Sequence, residues 1–166
     1  MTNTLAQWFV SHLGGVFSPQ LIIFLVSMIP ILELRGGLIV ASLLKVDMWQ
    51  AIPICIVGNI IPVPFILFLI RKIFAVLKRT KVFKGIVEKL EQRAYEKSDN
   101  IRRFEFWGLV AFVGIPLPGT GAWTGSLIAA LLGIDRKKAI AAVLLGILIA
   151  TVIMTAVSYG LIGRIV

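Results

Sequence analysis

Two broken apolar runs decide how this chain folds. The first reads Ile29-Pro30-Ile31-Leu32-Glu33-Leu34-Arg35-Gly36-Gly37, and the second Gly114-Ile115-Pro116-Leu117-Pro118-Gly119-Thr120-Gly121-Ala122-Trp123-Thr124-Gly125. Each interrupts an apolar stretch, 16–45 and 106–134, that is too long for one tidy crossing. A transmembrane helix needs only about 20 residues to span a hydrocarbon core of about 30 Å. Stretches 48–70 and 138–160 have that length, and Pro53, Asn59, Pro62 and Pro64 predict a kink in the earlier one.

The whole composition agrees with a bilayer as solvent. The chain has 166 residues, of which 58% are apolar and 15% charged, with a mean hydropathy of +0.97. A soluble domain of this size has too little interior for so much apolar surface, and disordered chains are far more polar. Cys55 stands alone, which excludes a disulfide scaffold. The reading is an all-α integral membrane protein.

A net charge of +9 raises the question of nucleic acid, and its distribution answers it. Eleven of the 17 basic residues lie between Arg71 and Arg103, flanked on both sides by apolar spans. That clustering is what the positive-inside rule produces, so 71–103 reads as a cytoplasmic connector and nucleic acid is not an expected partner. No side chain before Glu33 carries charge except His12 on protonation. The first 25 residues lack a basic n-region and a cleavage site, so the N-terminus is expected to be retained.

The two broken runs belong to two related halves. Shifting the sequence by 88 residues aligns 21–61 with 109–149 without a gap, and 12 of the 41 positions are identical. They include Pro30/Pro118, Gly37/Gly125, Asp47/Asp135 and Gly58/Gly146. Apolar composition accounts for matched Leu and Ile, less readily for Pro, Asp and Gly in one register. Repeat 1 is read as about 16–70 and repeat 2 as about 106–160, within a single membrane domain. Two full crossings per half would make the halves parallel and split the positive charge across both faces. If each broken run is a re-entrant hairpin, each half crosses once and the second is inverted. Arg136, Lys137 and Lys138 then share the side of 71–103, as the charge rule requires. Non-helical backbone at membrane depth needs protein or water to satisfy it, and two hairpins meeting near the midplane give each other that shelter. Interrupted segments at matching positions of two halves point to a transport site.

Glu33 and Arg35 are the only charges between Met1 and Lys45. An ionisable group in the membrane costs at least about 2.5 kcal/mol on insertion scales. The functional reading has Glu33 bind a proton or cation and Arg35 an anionic group through its planar fork; the alternative is an ion pair that pins the hairpin tip. Gly36 and Gly37 loosen the backbone beside them. In the second run Pro118, Gly119, Thr120, Gly121, Trp123 and Thr124 carry no charge. Their free amides suit an anion and their carbonyls a cation, while Gly121 and Gly125 also match a helix-contact spacing. Trp123 is read as packing at the tip or stacking on a ligand. Trp8, Trp49 and Trp107, at stretch ends, read as interfacial anchors. In the connector Phe83, Ile86, Val87, Leu90 and Ala94 fall at helical spacing among charges, predicting an amphipathic helix on the membrane surface, in contact with lipid headgroups.

Glu33-Leu34-Arg35-Gly36-Gly37 together with residues 116–125 resembles the putative small multi-drug export proteins, small prokaryotic membrane proteins, over about 20–160. That resemblance implies a multi-pass protein of the prokaryotic inner membrane. More distantly the layout is similar to the DedA/VTT superfamily, which has two re-entrant loops and is implicated in moving lipids. Its first-loop acidic residue maps onto Glu33. Its second-loop arginine has no counterpart here; Trp123 and Thr124 occupy the neighbourhood, and Arg35 is the available substitute.

With one His, one Cys and no phosphate-binding glycine loop, neither an enzyme nor an ATP-driven pump is expected. No cofactor is called for beyond a coupling H+ or Na+. The expected function is a secondary transporter or translocase, exporting or flipping a small amphiphilic or lipid-like substrate. The alternative is a membrane assembly protein that docks partners through the basic loop. Two spans and two hairpins make a thin wall, so a homodimer or larger homo-oligomer is expected.

Overall fold

A computed structural model describes residues 17–96 and 99–161. Trp8 and His12 lie outside them. The described residues form eight helical segments: α1 Pro19–Met28, α2 Glu33–Leu43, α3 Met48–Ile60, α4 Pro62–Leu77, α5 Lys81–Glu96, α6 Asp99–Gly114, which is broken by a sharp kink at Glu105 (φ 38°, ψ −99°), α7 Ala122–Leu132 and α8 Arg136–Thr155, followed by a π-helical turn at Ala156–Leu161. The chain is a membrane protein, and two stretches are long and apolar enough to cross a bilayer, Met48–Ile70 and Arg136–Gly160.

Local chemistry sets the breaks. Pro19 opens α1, where its missing N–H costs nothing. The helix stops at Ile29, whose backbone is extended (φ −74°, ψ 129°), because a following proline excludes the helical region. Four residues later α2 begins and packs back on α1, and both lie against α3. In the second half α6 ends at Gly114, the Pro116–Pro118 segment follows, and α7 starts at Ala122.

Positions 88 apart carry the same geometry. After α2, Lys45 takes a left-handed φ of 55°; its N–H donates to Ser42 O (3.1 Å) and that of Val46 to Ala41 O (3.0 Å). After α7, Gly133 has φ 72°; its N–H donates to Ala130 O (3.3 Å) and that of Ile134 to Ala129 O (3.0 Å). Both are Schellman endings, which satisfy the last carbonyls of a helix. Asp47 then caps α3 by accepting from Trp49 N–H (2.9 Å), and Asp135 caps α8 by accepting from Lys137 and Lys138 N–H (3.1 Å each). The matched aspartates are therefore matched N-caps.

The glycine pair in this register marks close helix approach. A Cβ at Gly58 would stand 2.7 Å from Phe24 O of α1, and one at Gly146 would stand 2.6 Å from Val113 Cβ of α6. So α3 lies on α1 as α8 lies on α6.

The two long spans run in opposite directions. At the start of α8 the Arg136 guanidinium sits 4.9 Å from the Phe68 ring centre, well along α4. Beyond its end, Tyr159 OH donates to Val46 O (2.9 Å) and Ser42 Oγ donates to Ser158 O (2.8 Å), beside the start of α3.

The basic connector begins as helix, since α4 continues past the apolar span to Leu77. The amphipathic segment read at 83–94 is α5, which packs on α4 and α7. Lys78 and Glu91 pair at 2.5 Å, tying α5 to the end of α4. Val87 is buried, whereas Phe83, Ile86 and Leu90 are exposed; the Ala94 side chain lies outside the described residues. Trp49 and Trp107 are both exposed, as anchors would be.

Candidate functional site

The breaks of the two halves meet, and Glu33 is the hinge pin between them. It opens α2 in a left-handed conformation (φ 50°), sparsely populated for a residue with a side chain. Its side chain is nonetheless only 4% exposed. One carboxyl oxygen accepts from Ala122 N–H (3.0 Å) and the other from Trp123 N–H (3.0 Å). Those are first-turn donors of α7, which no intrahelical carbonyl can reach. The residue preceding α7 is Gly121, which has no side chain to cap with. Glu33 supplies that cap from 89 residues away, and the positive end of the helix suits an acidic group there. A Cβ on Gly121 would overlap this carboxyl group, so only glycine admits it.

Arg35, one half-turn further, reaches the opposite kind of helix end. Its Nη1 donates to Leu117 O (2.7 Å), and Nη2 to Ile115 O (3.1 Å), Thr120 Oγ1 (3.1 Å) and, more loosely, Val113 O (3.4 Å). These acceptors lie at the end of α6 and in the loop after it, where the negative end of the helix favours a cation; Ile115 O and Leu117 O also accept from Leu117 and Thr120 N–H (2.8 and 3.2 Å). Glu33 and Arg35 are not joined as an ion pair among the described residues; each goes to a different helix end of the other half. In place of the ion pair given as the alternative reading, the two side chains make two cross-half caps.

Trp123, the residue 88 beyond Arg35, does the reciprocal work. Its indole N–H donates to Met28 O (3.2 Å), the last residue of α1. Arg35 of the first half caps the end of α6, and Trp123 of the second caps the end of α1. Contacts that exchange partners in this way have the form of a two-fold interface, in which i meets j and j meets i.

The remaining sequence candidates divide. Thr120 joins the cluster: its hydroxyl accepts from Arg35 and lies within bonding distance of Ile115 O (3.0 Å) and Leu117 O (2.9 Å). Pro118 and Gly119 are exposed on the same loop. Thr124 is half-buried in the first turn of α7. Gly36 and Gly37 lie inside α2 and are buried; Gly37 faces Ser27 and Cys55 and serves helix packing. Gly125 likewise faces Val113, 2.7 Å from where its Cβ would be. The free Trp123 amide expected in the second run is used by Glu33, whereas sequence reading missed the carbonyls of Met28, Val113, Ile115 and Leu117 and the amide of Ala122. Every residue has such groups, so no residue letter signals them.

An apolar groove of about 690 Å³ opens beside the Arg35 contacts, lined by Phe104, Trp107, Ala111, Phe112, Ile115, Leu117 and Thr120 among others. Ile115, Leu117 and Thr120 therefore belong both to the groove wall and to the set of acceptors that Arg35 occupies.

No curated protein and no solved structure matches the chain significantly. Residues 33–153 do match the sequence profile of one family, described as putative small multi-drug export protein. That match begins at Glu33 inside the first break, takes in the second break and the first long span, and ends at 153 within the second span; it covers most of the chain, which belongs to the putative small multi-drug export protein family.

Proposed function

We propose that this protein is a secondary transporter or translocase that exports or flips a small amphiphilic or lipid-like substrate, driven by an H+ or Na+ gradient. Its site lies between the two broken segments, read as re-entrant hairpins of an inverted repeat that meet near the midplane. The observation that carries the reading is the reciprocal capping: Arg35 on the end of α6, Trp123 on the end of α1. Half-helix ends from matching positions of two halves, turned on one centre, are how inverted-repeat carriers build a site. Opposed directions of the two corresponding spans favour inversion over a parallel repeat. Family membership supports an export role.

On this reading the connector and residues 136–138 face the cytoplasm of a prokaryotic cell, and two copies associate in the inner membrane to complete the wall. Monomeric mass in native bilayers with transport intact would remove the dimer. Glu33 is the coupling or substrate-binding carboxyl group and Arg35 its electrostatic counterpart. Transport into liposomes across a pH series tests this, with Glu33→Gln and Arg35→Lys at matched protein levels. Glu33→Gln is expected to insert normally and lose coupled transport. Normal transport with an unchanged pH profile would refute its coupling role.

A further inference from the structure

Arg35 brings a full positive charge to the wall of the apolar groove, and the groove supplies no counter-charge. The guanidinium is held by Leu117 O, Ile115 O and Thr120 Oγ1 at 2.7–3.1 Å, with Val113 O at 3.4 Å. Leu117, Ile115 and Thr120 all line the groove, and no side chain in that lining is charged. Neutral acceptors orient the guanidinium without cancelling its charge. Two of them need no cation of their own, since Ile115 O and Leu117 O also accept from Leu117 N–H (2.8 Å) and Thr120 N–H (3.2 Å). Both oxygens of the neighbouring carboxyl group, Glu33, are taken up by the amides of Ala122 and Trp123. A guanidinium has five N–H donors. One on Nη1 and both on Nη2 are used, so Nε–H and the second Nη1–H meet no acceptor among the described residues. Arg35 is half-buried, where water screens a charge poorly and unmatched donors are costly.

We infer that the groove takes a drug-sized amphiphilic anion, whose oxyanion head accepts from the N–H groups that Arg35 has left over while its apolar body lies along Trp107, Ala111 and Phe112. Hydrogen bonds between ions are the strong ones, and a guanidinium already held in place by neutral groups meets an oxyanion with little further ordering. The volume of about 690 Å³ suits one compact ligand. A cation would meet the like charge of Arg35, and a neutral compound would leave that charge unmatched. The inference rests on the proposed transporter reading, with its site at the broken segments, and names the charge class of the substrate.

The test is titration calorimetry of naphthalenesulfonate into the full chain in neutral-lipid nanodiscs, with naphthol and naphthylmethylammonium as its neutral and cationic counterparts. Saturable binding is expected for the sulfonate, about ten-fold or more tighter than for either counterpart. Arg35→Gln should lose that preference and bind the sulfonate no better than naphthol. Ala111→Trp, at an exposed groove position, should abolish sulfonate binding without lowering the melting temperature, which tests the groove even where Arg35→Gln folds poorly. Adding an anionic phospholipid to the nanodiscs, in high salt to screen its surface charge, should leave the sulfonate affinity unchanged; competition by that lipid would overturn the drug-sized occupant. Equal binding of the cation, or unchanged sulfonate binding in Ala111→Trp or Arg35→Gln, would overturn the site. Transport of cationic or neutral compounds without sulfonate binding would overturn this inference while leaving the transporter reading in place; sulfonate binding without transport of any class would do the reverse.

Discussion

Glu33 and Gly121 occupy the same position of the two halves, 88 residues apart, and they touch. Both have positive φ, but in different conformations, 50° at Glu33 and 139° at Gly121; the carboxyl group of one fills the space that the other's missing side chain leaves. At this position one half carries a cap and the other the gap that receives it. Gly121→Ala is expected to combine strain with overlap and to cost about 3 kcal/mol or more. Gly133→Ala has positive φ but open space, and should cost about 1–2 kcal/mol. Adding Glu33→Ala to Gly121→Ala should recover part of the loss, a non-additivity that contact predicts. Thermal unfolding of the four variants in detergent checks this. Equal losses at 121 and 133 would show that the overlap is absent.

The cross-half caps should differ in weight. Trp123→Phe keeps the aromatic ring and deletes one N–H, leaving Met28 O unpaired, for a loss of about 1 kcal/mol. Arg35→Leu removes three charge-assisted hydrogen bonds together and should cost more, about 2–3 kcal/mol. Chemical denaturation at matched lipid content orders them. A larger loss for Trp123→Phe would mean that Arg35 contributes little to holding the halves together.

Lys45 is a lysine where the repeat's other copy has glycine. It holds φ 55°, and a left-handed residue with a side chain is disfavoured by about 1–2 kcal/mol. Glycine gives part of that back through its freer unfolded chain. Lys45→Gly should therefore stabilise by about 0.5–1 kcal/mol, seen as a raised melting temperature. A lowered one would indicate that the Lys45 side chain makes a contribution that its backbone strain conceals.

Topology is open to cysteine labelling in intact cells after Cys55→Ala. Positions 84 and 137 are expected to be protected from an impermeant reagent, and position 45 to be labelled. Labelling of 137 alone from outside would contradict the opposed orientation of the spans.

A final pair of substitutions compares the halves directly. Gly58→Ala meets Phe24 O, and Gly146→Ala meets Val113, at 2.7 and 2.6 Å. Backbone and a β-branched side chain are both slow to give way, so each should lose about 1–3 kcal/mol. A large loss at one and none at the other would mean that the two helix pairs are not packed alike.

The sequence by itself determined the helical membrane class and the breaks, and it showed the register in which the two halves match. Composition demands a bilayer; Pro30, Pro116 and Pro118 interrupt helix wherever they stand; and Asp47 with Asp135 cap helices through atoms two and three residues away. These are local effects, fixed by neighbours in the chain. Charge asymmetry added one non-local inference, the relative orientation of the halves, because the bilayer reads the whole sequence along one axis. What Glu33 and Arg35 bind was decided only by tertiary structure. Two residues apart and oppositely charged, they read as partners, yet Glu33 goes to the amides of Ala122 and Trp123 and Arg35 to the carbonyls of Ile115 and Leu117. The deciding groups are backbone amides and carbonyls at helix ends. They exist in every sequence, and they become a binding site only when folding brings a free end and a side chain of the right charge to the same place.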